Sequence, residues 1–180
     1  MSATANNLFL QRLRRDLPAF PDEVLEEWIA PCARRNGWPP VGPTWYNILL
    51  GRSIVTWARM RWTQEDRPLE WWNLAPDSAM LIRDLIDAHV NGNLFIAARY
   101  PPNGRQRVQS ALQYLIAHGV MPKRIAVGEL DGLLGLADGC HRVTAYFAYR
   151  NMRADPRTLA ALPIMAAHVK PRQPMWVARV

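Results

Sequence analysis

The chain has 180 residues, of which 49% are hydrophobic and 21% are charged. This length fits one domain, or a small domain with an ordered extension, and the composition excludes wholesale disorder. No apolar run approaches the roughly 20 residues that span a bilayer, so we expect no membrane insertion. The two cysteines, Cys32 and Cys140, show neither a CxxC spacing nor a disulfide framework, which favours a reducing cytoplasm.

The net charge of +7 is unevenly distributed along the chain. Residues 1–90 carry 10 basic and 11 acidic groups, whereas residues 91–180 carry 12 basic and 4 acidic groups. Such asymmetry predicts a polyanionic partner such as DNA for the second half; chance in a basic proteome is the alternative. The candidate DNA-binding residues are Arg105, Lys123, Arg124, Arg150 and Arg153.

Residues 1–90 are predicted to form a helical, Trp-rich extension. The periodicity predicts helices from Pro21 to Gly37, from Thr44 towards Trp62, and from an Asp77 cap to His89. Seven of the eight tryptophans precede residue 73. Tryptophans at helical spacing are typical of a core or a partner interface, although a nucleic-acid stacking surface is the alternative.

In residues 91–170 the hydrophobic pattern changes to short strand-like segments between helices. This pattern predicts a small mixed sheet with helices, so the predicted fold class is α+β. The predicted strands are Leu94–Arg99, Ile125–Leu130, Leu133–Ala137 and Ile164–Val169. The predicted helices are Arg107–His118 and Val143–Met152. Asp131-Gly132 predicts a two-residue hairpin turn, and residues 171–180 are expected to form a basic tail.

A phosphate-binding site is predicted where a short strand leads through Asp138 and Gly139 into a helix. The free N–H groups and the dipole at a helix N-terminus favour an anion, and Arg142 adds a planar double donor. The preceding helix presents Arg107, Ser110 and Tyr114 on one face through i, i+3 and i+7 spacing. Two helix starts with these side chains suit a nucleoside triphosphate.

The motifs resemble the ParB/sulfiredoxin superfamily over about residues 93–170. The run Gly139-Cys140-His141-Arg142 is identical to the sulfiredoxin active-site signature, and Arg107-Val108-Gln109-Ser110 resembles its upstream basic-Val-Gln-Ser run. Asp138-Gly139-x-His141-Arg142 also matches the form found in ParB-like members. The predicted elements follow the order of the superfamily.

This resemblance implies ATP as the bound nucleotide. It implies that Arg107 and Ser110 contact ATP, and that the phosphates bind to the segment Gly139, Cys140, His141 and Arg142. Asp138 would hold Mg²⁺ or Mn²⁺ beside them, or cap the helix. The candidate catalytic residues are Asp138, Glu129, His141, Arg142 and Cys140.

Two of these residues have alternative interpretations. Cys140 is either a nucleophile whose pKa is lowered by the helix N-terminus, or only a small loop residue. Glu129 is either a base that reaches the site or a solvated residue of the turn.

The length, helical extension and basic second half resemble the fertility-inhibition proteins of conjugative plasmids. This resemblance implies a protein that hydrolyses ATP, cleaves DNA without strong sequence preference, and blocks conjugative DNA transfer. The N-terminal helices would lie outside the nucleotide site and contact a protein of the conjugative secretion system. The alternatives are ATP-dependent redox repair through Cys140 and a non-catalytic, nucleotide-switched interaction module.

Overall fold

The computed structural model describes residues 3–179. Its first helices are α1 (Ala3–Asp16), α2 (the contiguous segments Asp22–Val24, Leu25–Ile29 and Ala30–Asn36), α3 (Pro43–Ile48) and α4 (Ile54–Ala58). They are followed by α5 (Pro76–His89), α6 (Leu94–Ala97), α7 (Gly104–His118), α8 (Cys140–Ala154) and α9 (Pro156–Ala160). The strands are β1 (Arg61–Pro68), β2 (Ile125–Leu130), β3 (Leu133–Asp138) and β4 (Arg172–Arg179). This architecture is α+β, as predicted.

The four strands form one mixed sheet in the order β1-β4-β2-β3. β1 pairs antiparallel with β4, β4 pairs parallel with β2, and β2 pairs antiparallel with β3. The hairpin prediction is confirmed, because Asp131 and Gly132 connect β2 to β3 with φ values of 51° and 77°. Positive φ at both central residues is what a type I′ turn requires.

Both outer assignments of the sequence analysis are wrong. The single helix predicted from Thr44 towards Trp62 is instead two short helices, α3 and α4, and its predicted end enters β1. The predicted tail forms β4 from Arg172 to Arg179, and residue 180 lies outside the described residues. The two strands pair over eight residues, from Arg61 opposite Arg179 to Pro68 opposite Arg172. A single strand gains its backbone hydrogen bonds only from a partner, so neither strand is evident in its own segment.

Two shorter assignments also change. Leu94–Arg99 is not a strand: Asn93 accepts hydrogen bonds from the N–H groups of Phe95 and Ile96, and this cap starts α6. The predicted strand Ile164–Val169 is irregular, with Ile164 fully exposed. The helices at Asp22 and Gly104 are confirmed, and each ends at a glycine with positive φ, Gly37 and Gly119.

Helices cover both faces of the sheet. Met175 and Val177 of β4 belong to one core, packed under α5, α7 and α8, which we call the α8-side core. Ala178, which follows Val177, belongs to a second core formed by α1 to α4, which we call the α2-side core. Alternate residues of a strand point to opposite faces, so one strand contributes to both cores. The sheet and both cores therefore combine residues from either side of position 90.

The tryptophans of the first half are mainly core residues, as the sequence analysis favoured. Trp28, Trp45 and Trp57 are buried, and the Trp28 and Trp57 rings meet edge to face at 5.0 Å between centroids. Trp72, by contrast, is 78% exposed. Within residues 3–179, no helix combines the length and apolar character needed to cross a membrane.

Candidate functional site

Two adjoining cavities lie where β3 ends and α8 begins. Their volumes are about 540 and 290 Å³, and both are lined by Arg107, Asp138 and Glu27. The smaller cavity also contacts His141 and Arg142. The predicted meeting of Arg107 with the segment Asp138 to Arg142 is therefore present in the structure.

Local backbone geometry explains the glycine at the start of α8. Gly139 has φ of +94°, and a Cβ there would lie 2.5 Å from Cγ2 of Ile125. Only glycine adopts this conformation without strain, and it allows β3 to turn directly into α8. Gly139 has no side chain that could accept a hydrogen bond from the first amides of α8.

Arg142 lies between two carboxylates. Its Nη2 donates to Oδ2 of Asp138 at 2.5 Å, and its Nη1 donates to Oε2 of Glu27 at 3.0 Å. The other oxygen of Glu27 accepts from Nζ of Lys123 at 2.6 Å. The side chain of Arg142 is only 13% exposed, so a phosphate must compete with carboxylates for it.

Glu27 is the residue that the sequence analysis missed. It belongs to a π-helical segment, Leu25–Ile29, in which the N–H of Ala30 donates to the carbonyl of Leu25. Pro31 follows and has no N–H to donate to the carbonyl one turn earlier, so one backbone hydrogen bond is missing where the α-helix resumes. The signal in the sequence was a proline inside a predicted helix, which indicates an irregular helical segment. Irregular segments of the π-helical kind are frequent at functional sites.

The N-terminal helices also line the larger cavity. Pro31, Cys32 and Arg35 of α2 and Asn47 of α3 contribute to its wall. The extension therefore contributes to this cavity, whereas it was predicted to lie outside the nucleotide site. The two cysteines, which are 108 positions apart, both contribute to that wall.

His141 is buried, and its Nε2 has no hydrogen-bond partner among the described residues. Burial, together with the nearby charge of Arg107, lowers its pKa to about 4, so the imidazole is neutral at pH 7. The ring stacks on His89, with 6.1 Å between centroids. His89 is also buried with an unpartnered Nε2, and burial lowers its pKa. A neutral imidazole with one unpartnered nitrogen can accept or donate one further hydrogen bond.

Cys140 does not have the properties of an activated thiol. Burial raises its pKa, and the charge of Asp138 raises it further, which outweighs Arg107 and the N–H of His141. The expectation of a lowered pKa is therefore wrong. Sγ lies 3.4 Å from Nδ1 of His141, but the low pKa of that imidazole disfavours proton transfer from the thiol.

The remaining predicted site residues are dispersed. Ser110 and Tyr114 line a shallow concavity of about 400 Å³, which adjoins the main site only through Arg107. Glu129 lies towards the turn of the hairpin, opposite Leu134, whereas Asp138 lies opposite Ala126 at the other end. Glu129 accepts hydrogen bonds from Arg67 at 2.9 Å and Arg179 at 2.5 Å, so it is neither solvated nor at the cavity.

The predicted DNA-binding side chains are mostly engaged within the protein. Lys123 pairs with Glu27, Arg124 with Glu23 and Arg150 with Glu70. Arg153 donates to the carbonyls of Ala166 and Ala167. Arg105 is exposed and has no ion pair among the described residues.

A metal ion would find few protein ligands here. Burial raises the pKa of Asp138 despite the opposing effect of Arg142. Within residues 3–179 no cluster of three or more His, Cys, Asp or Glu side chains is placed to hold a metal. Mg²⁺ is commonly held by one or two carboxylates together with substrate phosphates, and Asp138 fits that more limited arrangement.

Comparison with known proteins gives no significant match. No family model matches the chain, and neither the curated proteins nor the solved structures include a significant match.

Proposed function

We propose that the protein binds ATP in the paired cavities and hydrolyses it, and that it also cleaves DNA without strong sequence preference. The observation that carries the proposal is the convergence of the start of α8 with Arg107, near the start of α7, on one cavity. Helix N-termini bind phosphate through their free N–H groups and positive dipole ends. Arg107 is exposed and has no ion pair among residues 3–179, so it is available to an incoming phosphate.

The dimensions and polarity of the cavities support a nucleotide of this size. Sites for small molecules typically occupy roughly 300–1,000 Å³, and the larger cavity falls within that range at about 540 Å³. Its walls combine apolar surface from Trp28 and Leu81 with the polar side chains of Arg107 and Asp138. A nucleotide likewise combines an apolar base with charged phosphates.

In phosphoryl transfer, some of these groups would bind the phosphates and others would orient the reacting atoms. Arg107 and the amides of α8 bind phosphate oxygens, and Arg142 joins them once a carboxylate releases it. His141, neutral at pH 7, lines the smaller cavity, where its imidazole would orient a phosphate oxygen or the attacking water. Asp138 would hold Mg²⁺ or Mn²⁺, which neutralises phosphate charge when bound.

The role in conjugation rests on the resemblance described above. A protein that cleaves DNA during transfer would inhibit conjugation, and the N-terminal helices would contact the secretion system. The ParB/sulfiredoxin relationship remains a prediction. Redox repair is disfavoured by the raised pKa of Cys140, since a thiol is nucleophilic only as the thiolate.

Phosphate release from ATP, with and without plasmid DNA, tests the proposal. Arg107→Ala is the sharper variant, because Arg107 has no described ion pair, whereas removing Arg142 would also deprive Asp138 of its ion-pair partner. Loss of a charged hydrogen bond of about 1.5–3 kcal/mol should weaken ATP binding by roughly tenfold or more. Arg157→Ala, at an exposed position in α9 beyond the far end of α8, is the control. Equal ATP affinity of wild type and Arg107→Ala would refute the assignment of this site.

A further inference from the structure

Glu27 connects two cations that belong to other elements. Its carboxylate accepts from Nζ of Lys123, before β2, and from Nη1 of Arg142, in α8. We propose that Glu27 occupies the position of a ligand phosphate, so that nucleotide binding displaces it and releases α2 from α8. This inference rests on the proposed nucleotide site and describes the regulation of that site.

The geometry is that of an anion bridging two positive groups. One oxygen lies 2.6 Å from the ammonium of Lys123 and the other lies 3.0 Å from the guanidinium of Arg142. Carboxylates and phosphates share this preference for charge-assisted donors. Glu27 lines both cavities and its side chain is 21% exposed, so an incoming phosphate can reach the same donors.

Arg142 does not need Glu27 for charge neutralisation. Glu27 can therefore leave and act as a competitor of a phosphate, and it is not required as a structural partner. Asp138 already contacts the other terminal nitrogen of that guanidinium at 2.5 Å. Lys123 is 63% exposed, so it returns to water when Glu27 leaves. Removing the carboxylate therefore strands no buried cation, while it removes a negative charge from the path of a polyphosphate.

The helix that carries Glu27 can transmit its displacement. The π-helical segment has an i to i−5 hydrogen bond and is followed by Pro31, so its backbone pattern is locally interrupted. The adjacent Trp28 and Ile29 are buried in the α2-side core. Movement of Glu27 thus acts on the packing of the N-terminal helices, the surface proposed to contact a partner.

The decisive measurement is ATP affinity of the full-length protein by calorimetry in EDTA, where no metal contributes. Glu27→Gln keeps the size of the side chain and removes its charge. We expect it to bind ATP roughly three- to tenfold more tightly than wild type, as the loss of a competing, partly exposed ion pair requires. Glu26→Gln, at the neighbouring position that pairs with Arg14, should bind like wild type.

Hydrogen exchange of the wild-type protein gives a second readout that needs no variant. Amides of residues 25–36 should exchange faster when ATP is added, because Glu27 is released. Equal or weaker ATP binding by Glu27→Gln, or unchanged or slower exchange in this segment, overturns the inference while leaving the nucleotide site in place. Absence of ATP binding by wild type and both variants refutes the proposed function, and the inference with it.

Discussion

His141 shows how burial decides the chemical state of one side chain. The sequence indicates an imidazole at a helix start beside Arg142, and the structure adds burial, an unpartnered Nε2 and a second buried imidazole at position 89. Both histidines have lowered pKa values, so each is neutral in the folded protein at pH 7. Histidine at this site is therefore a neutral hydrogen-bonding group and not a positive charge for phosphate.

We predict that acid destabilises the protein through His141. Its pKa falls from 6.5 to about 4 on folding, so the unfolded chain binds a proton that the folded protein cannot bind between these values. Stability therefore decreases as pH falls through this window, by about 3 kcal/mol near pH 4 for this residue. Urea unfolding at pH 7 and pH 4 measures it. Between pH 7 and pH 4 the free energy of unfolding should fall by about 3 kcal/mol less in His141→Gln than in wild type. His118→Gln, at an exposed position on α7, should behave like wild type.

Cys140 provides a test between hydrolysis and redox repair. The thiol is protonated at neutral pH because burial and Asp138 raise its pKa. Cys140→Ser should therefore retain ATP-dependent phosphate release within about twofold, since no thiolate is needed. A Cys140→Ser protein that folds normally but releases no phosphate would contradict this expectation and favour a nucleophilic thiol.

At the scale of elements, the pairing of β1 with β4 determines where the chain tolerates change. β4 lies between β1 and β2, so the last strand is interior to the sheet. Met175 and Val177 are fully buried. The segment Ile164–Val169, which was predicted as the closing strand, instead includes the exposed Ile164 and Met165.

Charge placed in these two segments should therefore have opposite consequences. Val177→Asp buries an unpaired carboxylate in the α8-side core and should destabilise the fold by roughly 3–5 kcal/mol or prevent folding. Ile164→Asp should change stability by less than about 0.5 kcal/mol, because that side chain is in solvent. Thermal unfolding followed by circular dichroism compares the variants. Similar losses in both would contradict the assignment of β4.

At the scale of the whole molecule, folding redistributes the charge asymmetry of the sequence. Six of the twelve basic residues in 91–180 form ion pairs with acidic residues of 1–90. They are Arg99, Lys123, Arg124, Arg142, Arg150 and Arg179. One of these networks is strong enough for Arg179 to hold the pKa of Glu65 down to about 2. The positive half is thus partly neutralised by the negative one.

This pairing limits the electrostatics of DNA binding. Six basic residues of 91–180 have no described ion pair. The slope of log binding constant against log salt concentration on duplex DNA should therefore be no steeper than about −5. Arg105→Gln should reduce the slope by about 1, since this residue is exposed. Arg150→Gln should leave it unchanged, because its guanidinium donates to Leu69 and pairs with Glu70. Fluorescence anisotropy across a salt titration measures both. Equal effects of the two variants on the salt slope would contradict the conclusion that ion-paired basic residues do not contribute to DNA binding.

The sequence by itself determined the features that depend on neighbouring residues. Asp131-Gly132 specifies the hairpin, Gly119 ends α7, and Gly139 leads β3 into α8, because each depends on local backbone conformation. Periodicity likewise identified α2, α5 and α7, since an amphipathic helix carries its own pattern.

Only the tertiary structure decided the features that join distant residues. β1 is a polar segment and β4 contains a proline, and both gain their backbone hydrogen bonds only from neighbouring strands, so neither was recognised as a strand from its own segment. Glu27 reaches Arg142 across 115 positions, and the pKa values of Cys140 and His141 depend on burial between α2, α7 and α8. Burial and long-range ion pairs arise when separate segments meet, and local sequence does not contain that information.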